Sequence, residues 1–177
     1  MRKAVIIFGV MAFLSFLLSM ALCPGGYNPC LRMLSYLGRK AVAGVDFPLC
    51  HYLFIAGMVF ASFAVFLALK GWGGGICALG LLAVAALPED VSAIGHNIGC
   101  HVATLGGGIA VVSRMRNRFG RISAFVLFVV VGAFGACIAL HALGVIPFAP
   151  AVPTLQKLVI LSFAAWTVSQ LSHGERG

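Results

Sequence analysis

The stretch PEDVSAIGHNIGCHVATLGGGIAVVSRMRNRFGR, Pro88 to Arg121, decides how the chain is read. It opens on a proline and two of the chain's four acidic residues, Glu89 and Asp90. An apolar segment follows, with His96, Asn97 and His101 near its start and a triple glycine, Gly106 to Gly108, in its middle. It closes on Arg114, Arg116, Arg118 and Arg121. A polar outer end, a thin middle and a cationic inner end mark one membrane-crossing helix.

The composition around it agrees. Of 177 residues, 62% are hydrophobic and only 9% charged, whereas soluble domains carry about 25% charged residues. That much apolar side chain needs lipid as its solvent. The net charge is +8, but the basic residues sit in short runs between apolar segments. This favours anionic lipid head groups, at Arg114, Arg116, Arg118 and Arg121 above all, over nucleic acid, which needs a solvated basic face. The six cysteines form no CxxC pair. Cys23, Cys30 and Cys50 fall in or beside the first long loop, where a disulfide requires an oxidising compartment.

Outward from the central stretch, six apolar segments predict an all-α integral membrane protein. Its single domain, residues 1–177, holds spans at about 4–23, 48–69, 73–88, 92–113, 122–146 and 154–171. The first run is 20 residues long, enough to cross a hydrocarbon core of about 30 Å. It exceeds the apolar core of a signal peptide, typically about 7–15 residues, so an uncleaved helix is expected. Asn28-Pro29 reads as a helix start, and Gly38 ends a short interfacial helix bearing Leu31, Leu34 and Leu37 on one side. Asp46 is placed to cap the second span, with Pro48 in its first turn. Loop charge orients the bundle. With the N-terminus inside, eight basic residues (Arg2, Lys3, Lys70, Arg114, Arg116, Arg118, Arg121, Arg176) face the cytoplasm. Four (Arg32, Arg39, Lys40, Lys157) lie outside. The expected placement is a multi-pass cell-membrane protein with both termini cytoplasmic.

This topology pools Ser35, His51, Glu89, Asp90, His96, His101, His141 and Lys157 in the outer third. Ionisable groups in a span usually face the bundle interior or a wet cavity, so an outward polar pocket is the expectation; helix ends that are polar by default are the plainer reading. No cofactor or metal is implied. His96 and His101, five residues apart, diverge by about 140° on a regular helix and do not share an ion. No nucleophile elbow surrounds Ser35, Ser92, Cys50 or Cys100, and Ser92 reads as a helix cap. Gly99 and Gly106 to Gly108 in the fourth span, with Gly132 and Gly135 in the fifth, read as helix-packing positions.

Three local patterns taken together carry a family resemblance. They are Leu34-Ser35-Tyr36-Leu37-Gly38, then Leu87-Pro88-Glu89-Asp90 followed by His96, then Gln156-Lys157 with Trp166 in the last span. In their order and spacing they resemble the uncharacterised prokaryotic six-span family known as domain of unknown function 998. They are more distantly similar to Frag/DRAM/Sfk-type membrane proteins. The resemblance covers about residues 5–171. It implies six helices and a polar outer site around Ser35, Pro88 and His96, and it implies no established activity. Where the family tends to carry an acid early in the last span, this chain has Gln156-Lys157, so a carboxylate role there does not carry over.

The leading expectation is a protein that binds a lipid or other amphiphile in the outer pocket. A lipid-modifying hydrolase or transferase using His96 with Glu89 or Asp90 is the enzyme alternative. A small structural subunit of a membrane complex is another, and an apolar midplane ranks a transporter below them. The orientation has a direct check. A cysteine introduced as Asn117→Cys is expected to resist an impermeant thiol reagent applied to intact cells; ready labelling would invert the topology.

Overall fold

The computed structural model describes residues 2–114, 118–148 and 150–173. Arg116 and Arg176, counted in the loop charge, and Asn117, the labelling position, lie outside the described residues. The described chain is built of six α-helices: α1 (Arg2–Ala21), α2 (Leu49–Ala68), α3 (Trp72–Ala86), α4 (Ala93–Ser113), α5 (Arg118–Ala142) and α6 (Ala151–His173). A 3-10 helix (Leu34–Gly38) and a two-stranded hairpin, β1 (Ala41–Val42) and β2 (Val45–Asp46), lie between α1 and α2. Three helical segments, Arg2–Ala21, Leu49–Ala68 and Ala124–His141, are long and apolar enough to cross a membrane. Trp72–Ala86 and Ala151–Thr167 are shorter apolar helices.

The helices fall into two compact units. The first is Met1–Tyr27 with Ser35–Ala110; the second is Asn28–Leu34 with Val111–Gly177. In the first unit, consecutive helices run antiparallel. Phe8 of α1 stacks on Phe60 and Phe63 of α2, while Phe16, a further two turns along, meets Phe54. Near the end of α1, Ser19 Oγ donates to the Cys50 carbonyl at 2.7 Å. Ser62 Oγ of α2 donates to the Ala78 carbonyl of α3 at 3.0 Å.

The packing faces are small and the outward faces are large. Helix α1 buries Val5, Ala12, Ser15 and Ser19 and exposes Ile7, Phe13 and Leu18 at 59%, 57% and 51%. A water-soluble helix does the reverse; the inverted pattern suits a hydrocarbon solvent, where close backbone approach drives association. Between α3 and α4 the approach is closest. A Cβ on Gly80 would overlap the Ala103 backbone, one on Gly106 the Cys77 backbone, and one on Gly73 would stand 2.6 Å from Ala110 N. A Cβ on Gly99 would stand 3.0 Å from Val84. The packing role expected of Gly99 and Gly106 is therefore seen, with Gly73 and Gly80 of α3 on the facing helix. Gly108, Gly132 and Gly135 have nothing within 4 Å of a built Cβ.

The segment before α2 differs from expectation. Asn28 Oδ1 accepts from Cys30 N at 2.9 Å and starts one turn, but the amphipathic helix is reduced to the 3-10 turn ending at Gly38. Leu34 and Leu37 are buried while Leu31 is 53% exposed. Asp46 does not cap α2. It pairs with Ala41 in the hairpin, whose two turn residues, Ala43 and Gly44, take φ of 51° and 79°, as a two-residue primed turn requires. Pro48, extended at φ −64° and ψ 155°, occupies the cap position without a side-chain bond. The Ser92 cap is as expected, its Oγ accepting from Gly95 N at 3.1 Å.

In the second unit α5 and α6 pack together. Trp166 is 1% exposed and stacks on Phe163 at 5.9 Å. The start of α6 holds the Asn28–Leu34 segment: Gln156 Oε1 accepts from Leu34 N at 2.8 Å, and Lys157 Nζ donates to the Arg32 carbonyl at 2.8 Å. Of the arginines proposed to meet head groups, Arg114 is half-buried after α4, Arg118 opens α5 and Arg121 is exposed in its first turn.

The close approach of α3 and α4 is testable. Gly80→Leu or Gly106→Leu forces bulk against backbone and should destabilise the detergent-solubilised protein by about 1–3 kcal/mol or more. Gly9→Ala, at a position with open space around it, should be neutral or stabilising through helix propensity. Equal thermal stability of all three variants would contradict the packing.

Candidate functional site

Six of the eight candidate side chains belong to the first unit; Ser35 lies in the loop that precedes α2, and His51, Glu89 and Asp90 meet that loop. The turn Pro88-Glu89-Asp90 joins α3 to α4 and grips that loop. Asp90 Oδ2 accepts from the backbone N–H groups of Lys40 at 2.8 Å and Ala41 at 3.3 Å. Glu89 Oε2 accepts from Arg39 Nη2 at 3.3 Å and from Ser35 Oγ at 3.4 Å. The Arg39 guanidinium also lies over the Tyr36 ring, 5.2 Å from its centroid. The Arg39–Glu89 pair is more than a third exposed on both sides, so it contributes little to stability. A carboxylate bound by two backbone amides is the stronger device.

The two buried histidines, His51 and His96, each 4% exposed, satisfy backbone carbonyls. His51 Nδ1 donates to the Gly38 carbonyl, at the end of the 3-10 helix, at 2.8 Å. His96 Nδ1 donates to the carbonyl of Leu87, the residue that caps the C-terminus of α3, at 3.0 Å. Carbonyls at helix ends lack an intrahelical partner, and burying them unpaired is costly. His96 thus points into the protein, as expected of a polar group in an apolar helix. Its partner is the Leu87 carbonyl and not Glu89, Asp90 or the Ser35 loop. Ser35 donates to the Glu89 carboxylate, while each buried imidazole donates to a backbone carbonyl.

The remaining candidates do not join this cluster. His101 is exposed on α4. His141 and Lys157 belong to the second unit. There His141 Nδ1 donates to the Ile146 carbonyl at 3.2 Å, and its ring meets Phe148 edge-on. Lys157 is held by the carbonyls of Arg32 and Pro153. Among the described residues no three His, Cys, Asp or Glu side chains gather in a way that could hold a metal ion.

Beneath the gripped loop lies a groove of about 470 Å³ between α2 and α3. Ile55 and Val59 form one wall, Leu82, Ala85 and Ala86 the other, with Pro88 at one end and Lys40 and His51 as the polar lining. His51, Ile55 and Val59 recur every four residues, so the lining follows α2 for about 12 Å at 1.5 Å per residue. Lys40 was not singled out from the sequence, nor were the apolar walls. The stripe of His51, Ile55 and Val59 is a legible signal for α2; nothing local marks Leu82, Ala85 and Ala86 as their counterparts. Arg39, the partner of Glu89, carries no local signal beyond its loop charge.

The grip of the turn on the loop predicts a local effect. Asp90→Ala should speed amide exchange at Lys40 and Ala41 at least tenfold, the equivalent of about 1.4 kcal/mol for a charge-assisted bond, while Glu89→Gln should leave those amides nearly unchanged. Equal protection in both variants would remove Asp90 as the anchor.

No family model, curated protein or solved structure matches this chain.

Proposed function

We propose that this is a multi-pass membrane protein that holds an anionic lipid in the groove between α2 and α3. The observation that carries the proposal is the pairing of an apolar trench with a cationic end. Ile55, Val59, Leu82, Ala85 and Ala86 offer hydrocarbon contact, and Lys40 with His51 stands at the polar rim. An acyl chain suits the first surface and a phosphate or carboxylate head group the second. The volume is within the range of about 300–1,000 Å³ that small-molecule sites occupy.

The membrane placement rests on the apolar helices and on their large exposed faces. In this reading α4 and the two shorter apolar helices also cross, giving six spans. Loop charge puts both termini in the cytoplasm and the groove's polar rim outside. The loop gripped by Glu89 and Asp90 then sets the position of Lys40 at the rim.

Native mass spectrometry of protein extracted in a mild detergent should reveal one retained phospholipid. Ala86→Trp places bulk at an exposed position of the lining and should displace it without loss of thermal stability. Lys40→Ser should weaken retention of an anionic lipid about fivefold, from a contribution of about 1 kcal/mol per basic residue, and leave a zwitterionic lipid less affected. Bare protein recovered from several lipid backgrounds would overturn the assignment.

A further inference from the structure

His51 has two ring nitrogens, and the fold accounts for one of them. Nδ1 lies 2.8 Å from the Gly38 carbonyl. A carbonyl oxygen only accepts, so Nδ1 carries a proton. In the neutral imidazole the other nitrogen, Nε2, is then an acceptor. Among the described residues Nε2 has no hydrogen-bond partner. Yet the side chain is only 4% exposed, and the residue lines the groove between α2 and α3. A buried acceptor left unmet costs stability, so the natural partner is whatever occupies the groove.

Lys40 stands at the same end. Its Nζ lies 5.9 Å from the centre of the Phe47 ring, and that ring meets the His51 ring edge-on at 6.1 Å. Lys40 forms no ion pair with a carboxylate among the described residues. The rim therefore offers a cation and a lone-pair acceptor on either side of one aromatic ring. It also lies at the start of α2, whose first turn has no side-chain cap, and the positive end of a helix favours an anion. From His51 the lining passes through Ile55 to Val59, away from the polar groups and into the apolar trench.

We infer that His51 selects the head group: Nε2 accepts a hydrogen bond from a free hydroxyl of the ligand while Lys40 meets its phosphate. The ligand class is an anionic phospholipid whose head group carries a hydroxyl, such as a glycerol phosphodiester. This rests on the assignment of an anionic lipid to the groove and narrows it. An anionic lipid without a head-group hydroxyl satisfies Lys40 and leaves Nε2 unpaired. An ammonium head group donates to Nε2 but brings a like charge beside Lys40.

The test offers the full-length chain, exchanged into a mild detergent, equal amounts of dioleoyl phosphatidylglycerol and dioleoyl phosphatidylmethanol, with retention read by native mass spectrometry. The two lipids share their charge and acyl chains and differ in the glycerol hydroxyls. One hydrogen bond should give the glycerol lipid about a fivefold preference. His51→Asn keeps an amide N–H where Nδ1 stood, for the Gly38 carbonyl, and removes Nε2. It should hold the parent Tm and bring the preference close to one. His51→Gln places its amide where Nε2 stood and should keep part of the preference at a lower Tm. Equal retention of the two lipids by the parent protein would overturn the head-group assignment and leave the groove in place. An undiminished preference in His51→Asn would overturn it as well, because the hydroxyl is then read elsewhere. Retention of neither lipid would remove the groove assignment, and this one with it.

Discussion

How closely α3 can approach α4 governs the first unit. In the proposed six-span arrangement α3 and α4 lie in hydrocarbon and gain nothing from burying side chains that lipid would solvate equally well. They gain from backbone contact, and glycine permits it. Gly73, Gly80, Gly99 and Gly106 remove the side chains that would hold the helices apart. With α3 drawn against α4, the turn between them sits at a fixed height. That height decides where Glu89 and Asp90 can reach, and so where the loop from Ser35 to Ala41 is held. The groove follows from the same constraint. Small residues Ala85 and Ala86 face α2 and leave space where larger ones would fill it.

The polar groups at this end work chiefly on the backbone. His51, His96 and His141 each donate from Nδ1 to a carbonyl at or beyond a helix end. Lys157, in the second turn of α6, likewise donates to backbone carbonyls, those of Arg32 and Pro153. In an apolar environment a carbonyl without an intrahelical partner has no water to turn to, and a nearby imidazole or ammonium supplies the missing donor. This explains why histidines gather near helix ends without gathering into one catalytic group. It also separates them from Lys40, whose ammonium lies over the Phe47 ring at 5.9 Å and lines the groove.

The loop preceding α2 has a conformational character of its own. Gly44 and Ala43 turn the hairpin, and Phe47, at φ 47°, bends the chain out of it toward Pro48. A phenylalanine in the left-handed region is uncommon, and such residues persist where surrounding contacts hold them. Here the Phe47 ring meets the His51 ring edge-on at 6.1 Å, and its N–H donates to the Lys40 carbonyl. The loop is thus fixed at three places: by Asp90, by His51 and by its own hairpin. Burial pushes the Tyr27 phenol up to about 12, so that residue stays neutral.

The sequence by itself determined the helices. Apolar runs bounded by proline, glycine and charge locate six of them within a few residues, because helix formation in an apolar solvent is a local demand of the backbone. Gly38 as a stop and Ser92 as a cap were legible for the same reason: each acts within one turn. The sequence also marked Glu89, Asp90 and His96 as polar residues needing partners. Only the tertiary structure decided which partners. The contacts of residue 89 with Ser35 and Arg39 span about fifty positions, and His51 reaches across thirteen to Gly38. These depend on the spacing and rotation of neighbouring helices, which glycine contacts on both members of a pair set together. Asp46 shows the limit from the other side. Its type and position suit a helix cap, but hairpin pairing with Ala41 takes it first, because the turn at Ala43-Gly44 fixes the register before α2 begins.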